Sequence, residues 1–331
     1  MITIRTTLSY LSMALLLTLQ VGCSKNSSNN IITTPPPQQR GNITSNVVFA
    51  TNKDWQGNTQ ALTMDIYQPT NAKAGKKYPL VINVHGGGFY SGDKASAGSK
   101  CQIYADSGFV AVTINYRLGW NGAGAASCQG DTTSLNEAMY RAVQDINASL
   151  RYLVAHADEY NIDPNWIFVS GASAGGVVVQ TSSYENDKYM QSRYPAVAAK
   201  LGGVQNAGNN LINTYTIKGI CSIAGALPDS ALINASKAIP TIFFQGGADD
   251  VVPVDHGTYL GCSNYQQLYG SLCLYRQLIA NGQPAIANIL PGAGHGNNGD
   301  SGFTDDFMIG NAANFFNRLV RNENIKSKVN Y

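Results

Sequence analysis

Histidine is scarce in this chain, with four in 331 residues, and charge is sparse too: charged residues make up 13% and the formal net charge is +2. No cluster of Lys and Arg accompanies that small excess, so the electrostatic footprint of a nucleic-acid binder is missing. Six cysteines are present, none in a Cys-x-x-Cys pair or a His/Cys cluster, which leaves no set of residues at metal-ligand spacing. The glycine run at 86–88 has neither Gly-x-Gly-x-x-Gly spacing nor a Gly-Lys-Ser/Thr ending, so it is not expected to cradle phosphate, and no cofactor is expected. No internal repeat is visible. The apolar run Leu8 to Leu19 is too short to span a bilayer as a stable anchor.

That run has a different meaning. Arg5 precedes it and Gln20-Val21-Gly22-Cys23 ends it, the layout of an export signal. The ending resembles the lipobox of bacterial lipoproteins, in which cleavage falls before the cysteine and its sulfur receives a diacylglycerol. Gln20 departs from that motif, which has Leu there, and ordinary signal-peptide cleavage is the alternative. Residues 24–40 are rich in Ser and Asn, then in Pro, a composition suited to a tether. The expected organisation is a signal peptide at 1–22, an anchor cysteine and linker at 23–42, and a globular domain at 43–331. The expected location is the outer membrane, facing periplasm or cell surface, or the periplasm or medium if Cys23 is not lipidated.

Export permits disulfides. Beyond Cys23, five cysteines remain, so at least one is a thiol; Cys221 lies in the apolar run 217–227 and is the expected one. Cys262–Cys273 and Cys101–Cys128 are the expected pairs, although sequence alone does not determine connectivity.

Past residue 43, two short alternating segments, Asn46 to Ala50 and Ala61 to Tyr67, predict antiparallel edge strands. Continuous apolar runs near 78–89, 109–117, 166–171, 218–225, 241–246 and 285–292 predict strands buried on both faces. Helical patterns fall between them, near 97–107, 133–157, 174–183, 265–281 and 303–321. In the longest, Leu135, Met139, Val143, Ile146, Leu150 and Leu153 recur near helical spacing. Alternating strands and helices imply right-handed crossovers and an α/β fold with a doubly wound, mostly parallel sheet. Ligands of such sheets sit at the carboxyl ends of the strands.

The reactive residue types fall at those ends. Gly171-Ala172-Ser173-Ala174-Gly175 follows one buried strand and opens a helix. In a chain with 34 glycines such a pattern arises by chance about once in four sequences, so its weight comes from its surroundings. A serine on a sharp strand-to-helix turn needs small second neighbours, and Gly171 and Gly175 supply them. Its hydroxyl needs a base. His156 falls within the long helix, His85 opens a glycine run it is suited to brace, and His256 stands too near Asp249 to swing independently. His295, in the uncluttered loop Gly292 to Gly296, is the expected base. A carboxylate must hold the imidazole: Asp249 at the end of the 241–246 strand is expected, with Asp250 the alternative and Asp229 a remote third. Gly86, Gly87 and Gly88 present backbone without obstructing side chains. Gly87, Gly88 and the N–H of Ala174 are the expected donors to an oxyanion.

These segments resemble the α/β-hydrolase superfamily of esterases and lipases. The resemblance rests on residues 85–89 and 91–94, 114–119, 161–176, 246–253 and 292–296, in the order of that superfamily and across about residues 46–320. Residues 115–119 and 173–176 also resemble the cholinesterase-like carboxylesterases. The chain lacks their long insertions and has Ala172 where they have Glu, and it is more similar to short bacterial carboxylesterases that include feruloyl and acetyl-xylan esterases. The resemblance implies hydrolysis of a carboxylic ester through an acyl-Ser173 intermediate, on a small-molecule or polysaccharide-linked substrate, and structural roles for Tyr116 and Arg117. Two other classes stay open: an amidase or serine peptidase of the same fold, and a binding protein that kept the fold. Reaction with a fluorophosphonate probe separates the last from the others. The polar segment Tyr184 to Thr214 is expected either as a small cap over the acyl pocket, through Tyr184, Tyr189, Met190 and Tyr194, or as loop surface.

Overall fold

The structure, a computed structural model, describes residues 41–121, 127–296 and 299–331. The expected signal peptide, Cys23 and the linker up to residue 40 lie outside these residues. Among the described residues no helix is long and apolar enough to cross a membrane.

In chain order the elements are β1 (Ile43–Lys53), β2 (Thr59–Tyr67), β3 (Tyr78–Val84), α1 (Gly98–Asp106), β4 (Val110–Ile114), α2 (Thr132–Ala155), β5 (Ile162–Ala172), α3 (Ala174–Tyr184), α4 (Asp187–Arg193), α5 (Pro195–Leu201), β6 (Ile217–Ile223), β7 (Thr241–Gly246), β8 (His256–Thr258), β9 (Gln267–Tyr269), α6 (Ser271–Ala280), β10 (Ala285–Leu290), α7 (Asp305–Val320) and β11 (Lys328–Asn330). Nine strands form one sheet in the order β1-β2-β4-β3-β5-β6-β7-β10-β11. β1 and β2 join antiparallel, and from β4 to β11 every pairing is parallel. The chain passes from β3 to β4 on one side and then returns to place β5 on the other. The crevice this reversal opens at the carboxyl ends of β3 and β5 is where such sheets bind ligands.

The central strands are apolar on both faces because both faces are covered. On β3, Leu80, Ile82 and Val84 enter the core beneath α2 and α3, while Val81 points into the core beneath α1 and α7. The second core is aromatic: Phe168 of β5 stacks on Phe316 of α7 at 4.4 Å, and Phe109 meets both edge-on. The long helix α2 starts where Asp131 caps it, its carboxylate accepting from the N–H groups of Thr133 and Ser134. Arg117, after β4, is buried against Asp145 of α2 at 2.7 Å and also donates to Gln144 and to the carbonyl of Lys53. That network ties the β4–α2 connection to the helix and to β1, a structural role.

Two expectations need correction, and one pair of alternatives is decided. Cys128 bonds to Cys262, while Cys101, Cys221 and Cys273 are thiols. Cys101 faces the core from α1 and Cys273 lies in α6, so the two cysteines that pair are those carried by loops free to approach each other. The helix expected from 265 begins at Ser271: residues 267–269 pair with 256–258 as a small hairpin, and extended Gly270 lies hard against the carbonyl of Pro253. Of residues 184–214, left open as cap or loop surface, none lines the cavities at Ser173. They form α4, α5 and a polar loop, with Tyr189 donating to Asp229 and Tyr194 donating to Gln266.

Candidate active site

Ser173 stands between β5 and α3 with φ of 53° and ψ of −120°, a left-handed backbone that non-glycine residues adopt only when the surroundings impose it. The surroundings do so through two glycines. A Cβ on Gly171 would stand 2.3 Å from the carbonyl oxygen of Gly175, and one on Gly175 would stand 2.2 Å from that of Val84. The Ser173 N–H donates to the carbonyl of Ile223 at the end of β6, fixing the turn to the sheet. What remains exposed at the crevice is the hydroxyl and the N-terminus of α3, whose first N–H groups, that of Ala174 included, have no intrahelical acceptor.

His295 reaches this hydroxyl from the loop after β10. Its Nε2 lies 2.8 Å from Ser173 Oγ, and its Nδ1 lies 2.9 and 3.0 Å from the two carboxylate oxygens of Asp249. The Nδ1–H donated to Asp249 leaves Nε2 to accept from the serine. The two loops that carry these residues are bonded to each other: Gly247 N–H donates to Leu290 and Ala248 N–H to Ala293. Gly246 packs so closely on Ala293 and Gly294 that a Cβ there would meet their carbonyl oxygens at 2.3 and 2.2 Å. The aspartate is itself held. Its carboxylate is fully buried and accepts from the N–H groups of Val251 and Val252 and from Gln245 Nε2. Gln245 is buried in β7 and was not singled out in the sequence; its Oε1 accepts from Ser271, so it is fixed at both ends of the amide. Asp250 is exposed and stands outside this relay, and Asp229 caps a short turn through Ala231 N–H.

The glycine loop closes the other side. Gly87 and Gly88 have φ of 112° and 60° and line the cavity at Ser173. The carbonyl of Gly87 turns back to accept from the N–H groups of Tyr90 and Ser91. His85 braces this loop from beneath: its ring stacks on Tyr116 at 4.4 Å and its Nδ1 lies 2.7 Å from the carbonyl of Gly86. Burial pushes its pKa down, which keeps it neutral, and Tyr116 donates to the His85 carbonyl. His156 pairs with Glu159 on the surface of the molecule, and His256 is exposed in β8. Among the described residues no group of His, Cys, Asp or Glu could hold a metal ion.

The serine, histidine and aspartate expected from the sequence thus converge, with Gly87, Gly88 and Ala174 around the same point. Sequence reasoning missed the wall opposite, where Tyr259 and Leu260 border the cavity. The Cys128–Cys262 disulfide fastens the segment just after them, and Tyr259 packs edge-on against Trp120 and Tyr265. The aromatic residues of 259–265 were the available signal, but only contact with Trp120 gives them a place.

Residues 64–229 match the family model BD-FAE. The chain belongs to the BD-FAE family. Curated relatives include carboxylesterase 3B of Mus musculus, 35% identical over 124 residues that make up 36% of this chain and 20% of that protein. Gut esterase 1 of Caenorhabditis elegans is 28% identical over 161 residues, 46% of this chain and 26% of that protein. The matched stretches thus span about a fifth to a quarter of those relatives. Among solved structures, a truncated carbohydrate esterase from gut microbiota aligns with a TM-score of 0.58 over 87% of this chain and 99% of its own, at 19% identity. A thermophilic esterase of Thermogutta terrifontis, with propionate bound, aligns with a TM-score of 0.56 over 86% and 96%, at 18% identity. These likenesses identify the sheet and its helices as an α/β-hydrolase fold. In this BD-FAE member the reversal of strand order at β3 and β5 carries both the glycine loop and Ser173.

Proposed function

We propose that the protein is a serine esterase that hydrolyses carboxylic esters through an acyl-Ser173 intermediate. The observation that carries this reading is the unbroken relay from Asp249 through His295 to the hydroxyl of Ser173. In the first half-reaction Ser173 Oγ bonds to the ester carbonyl carbon as its proton passes to His295 Nε2. The carbonyl electron pair moves onto oxygen, where the N–H groups of Gly87, Gly88 and Ala174 stabilise it. Collapse expels the alcohol oxygen, which takes the proton from Nε2. In the second half-reaction water repeats the sequence, giving up a proton to Nε2 and releasing the acid with Ser173 restored. Asp249 stays ionised throughout and stabilises the imidazolium.

Acyl groups on plant polysaccharides are the substrates we favour, a reading supported by the roomy cavity beside His295, which Ser91, Ser96 and Lys100 help to line, and by the likeness to a carbohydrate esterase. We propose further that the enzyme is exported and held at the membrane by a lipid on Cys23; a soluble Cys23→Ser variant supports this, and unchanged membrane retention opposes it. The test of the chemistry is a fluorophosphonate probe. Labelling of the intact protein with none on Ser173→Ala is the expected outcome, and equal labelling of both would refute the reading.

A further inference from the structure

Two cavities meet at Ser173, and they differ in size and in chemistry. One, of about 430 Å³, is bordered by His295, Gly299, Ser91, Ser96 and Tyr90 together with the glycine loop. The other holds about 30 Å³ and is walled by Leu135, Met139, Val177, Val252 and Leu268. Ser173 and Gly88 border both, and His295 borders only the first.

That asymmetry assigns the two halves of an ester. The departing oxygen takes its proton from His295 Nε2, so the alcohol must lie on the histidine side, in the larger cavity. The acyl substituent, on the other side of the carbonyl carbon, is directed into the small slot. We propose that this slot makes the enzyme favour acetyl over longer acyl groups, and that Met139 is the residue that sets the preference; the proposal rests on the esterase reading above.

The size argument is direct. The slot offers about 30 Å³ against about 430 Å³ on the histidine side, so it favours a short acyl group over a long one. These five side chains are buried and apolar, drawn from α2, α3, β9 and the loop after Asp249, and Phe89, Tyr259 and Gln266 also line the slot. A methionine is unbranched and ordinarily swings aside for a larger guest. Here it is pinned: Gln266 Nε2 donates to Met139 Sδ at 3.6 Å, and Gln266 Oε1 accepts from the Tyr194 hydroxyl at 2.6 Å. A longer acyl chain must therefore break the Gln266 contact as well as move the side chain. This is the part that residues 184–214 play at the site: Tyr194 stands behind the slot and holds the residue that holds its wall.

The experiment compares p-nitrophenyl acetate, butyrate and hexanoate in the wild-type protein and in Met139→Ala. A methylene that a pocket does not accommodate costs about 10- to 200-fold in kcat/KM. The wild type is expected to prefer acetate over butyrate at least tenfold, and Met139→Ala to narrow that ratio by about tenfold or more. Val177→Ala, on a different wall, serves the same purpose should Met139→Ala fail to fold. A wild type that turns over butyrate or hexanoate as well as acetate overturns the proposal, as does a folded variant with an unchanged ratio. Failure of the esterase reading looks different: no ester is then hydrolysed faster by the wild type than by Ser173→Ala.

Discussion

Gly175 and Val84 are pressed together so closely that a Cβ on residue 175 would stand 2.2 Å from the Val84 carbonyl oxygen. The contact joins the first turn of α3 to the end of β3, and so joins the serine to the glycine loop. Gly175→Ala must push those two elements apart. A displacement of about 1 Å at a reacting centre can cost 100-fold, and overpacking costs about 1–3 kcal/mol. The expected result is a fall of that order in p-nitrophenyl acetate hydrolysis and an earlier denaturant midpoint. Gly310→Ala in α7, where a Cβ meets nothing within 4 Å, is the matched control and should leave activity intact while slightly raising stability.

The two adjacent aspartates give a sharp contrast. Asp249 is buried on His295, whereas Asp250 is exposed. Asp249→Asn replaces an acceptor with an amide and favours the wrong imidazole tautomer, a change that lowers kcat by about 10,000-fold in the well-studied serine triad. Asp250→Asn should stay within about twofold of wild type, as surface changes outside a site usually do. Equal losses in the two variants would mean that the relay has been assigned to the wrong carboxylate.

The strands that carry the site were legible because each is buried on both faces. β3, β4, β5, β6, β7 and β10 all announce themselves as apolar runs, and Ser173, Asp249 and His295 follow three of them. What could not be read depends on partners far along the chain. The three-residue strands β8, β9 and β11 carry no periodicity and exist only through pairing. Residues 184–214 were legible as something other than a plain connection. Their position behind Gln266, rather than above Ser173, follows from hydrogen bonds such as Tyr194 to Gln266 that span 72 residues. The disulfide illustrates the same limit, since nothing local to Cys128 identifies a partner 134 residues away.

That disulfide is the next test. Cys128 precedes α2, whose Leu135 and Met139 wall the small slot, and Cys262 follows Tyr259 and Leu260 on the opposite wall. A cross-link closing so long a loop stabilises by about 2–4 kcal/mol. Peptide mapping without reduction should recover a 128–262 cross-linked peptide and no 262–273 one. Cys128→Ser should melt earlier, and its KM should rise more than its kcat falls, because the wall loosens while the relay stays intact. Recovery of a 101–128 or 262–273 peptide would reject this connectivity.

Glu185 predicts a pH effect that the catalytic relay does not. It is buried at the end of α3, and neither carboxylate oxygen has a hydrogen-bond partner among the described residues. Burial pushes its pKa up to about 8, against the pull of Arg193 and with a further push from Asp229. In the unfolded chain it titrates near the ordinary glutamate value, about 4.3. Between these values the folded protein holds a proton that the unfolded chain has released, so stability falls as pH rises through this window and levels off above about 8. Glu185→Gln cannot ionise and lacks that slope. Thermal melts from pH 4 to 9 should show the variant gaining on wild type as pH rises, by at least roughly 2 °C at pH 8, the scale of 1 kcal/mol in a large domain. Parallel curves would mean that the carboxyl finds solvent or a cation when it ionises, and the buried-proton account would have to be abandoned.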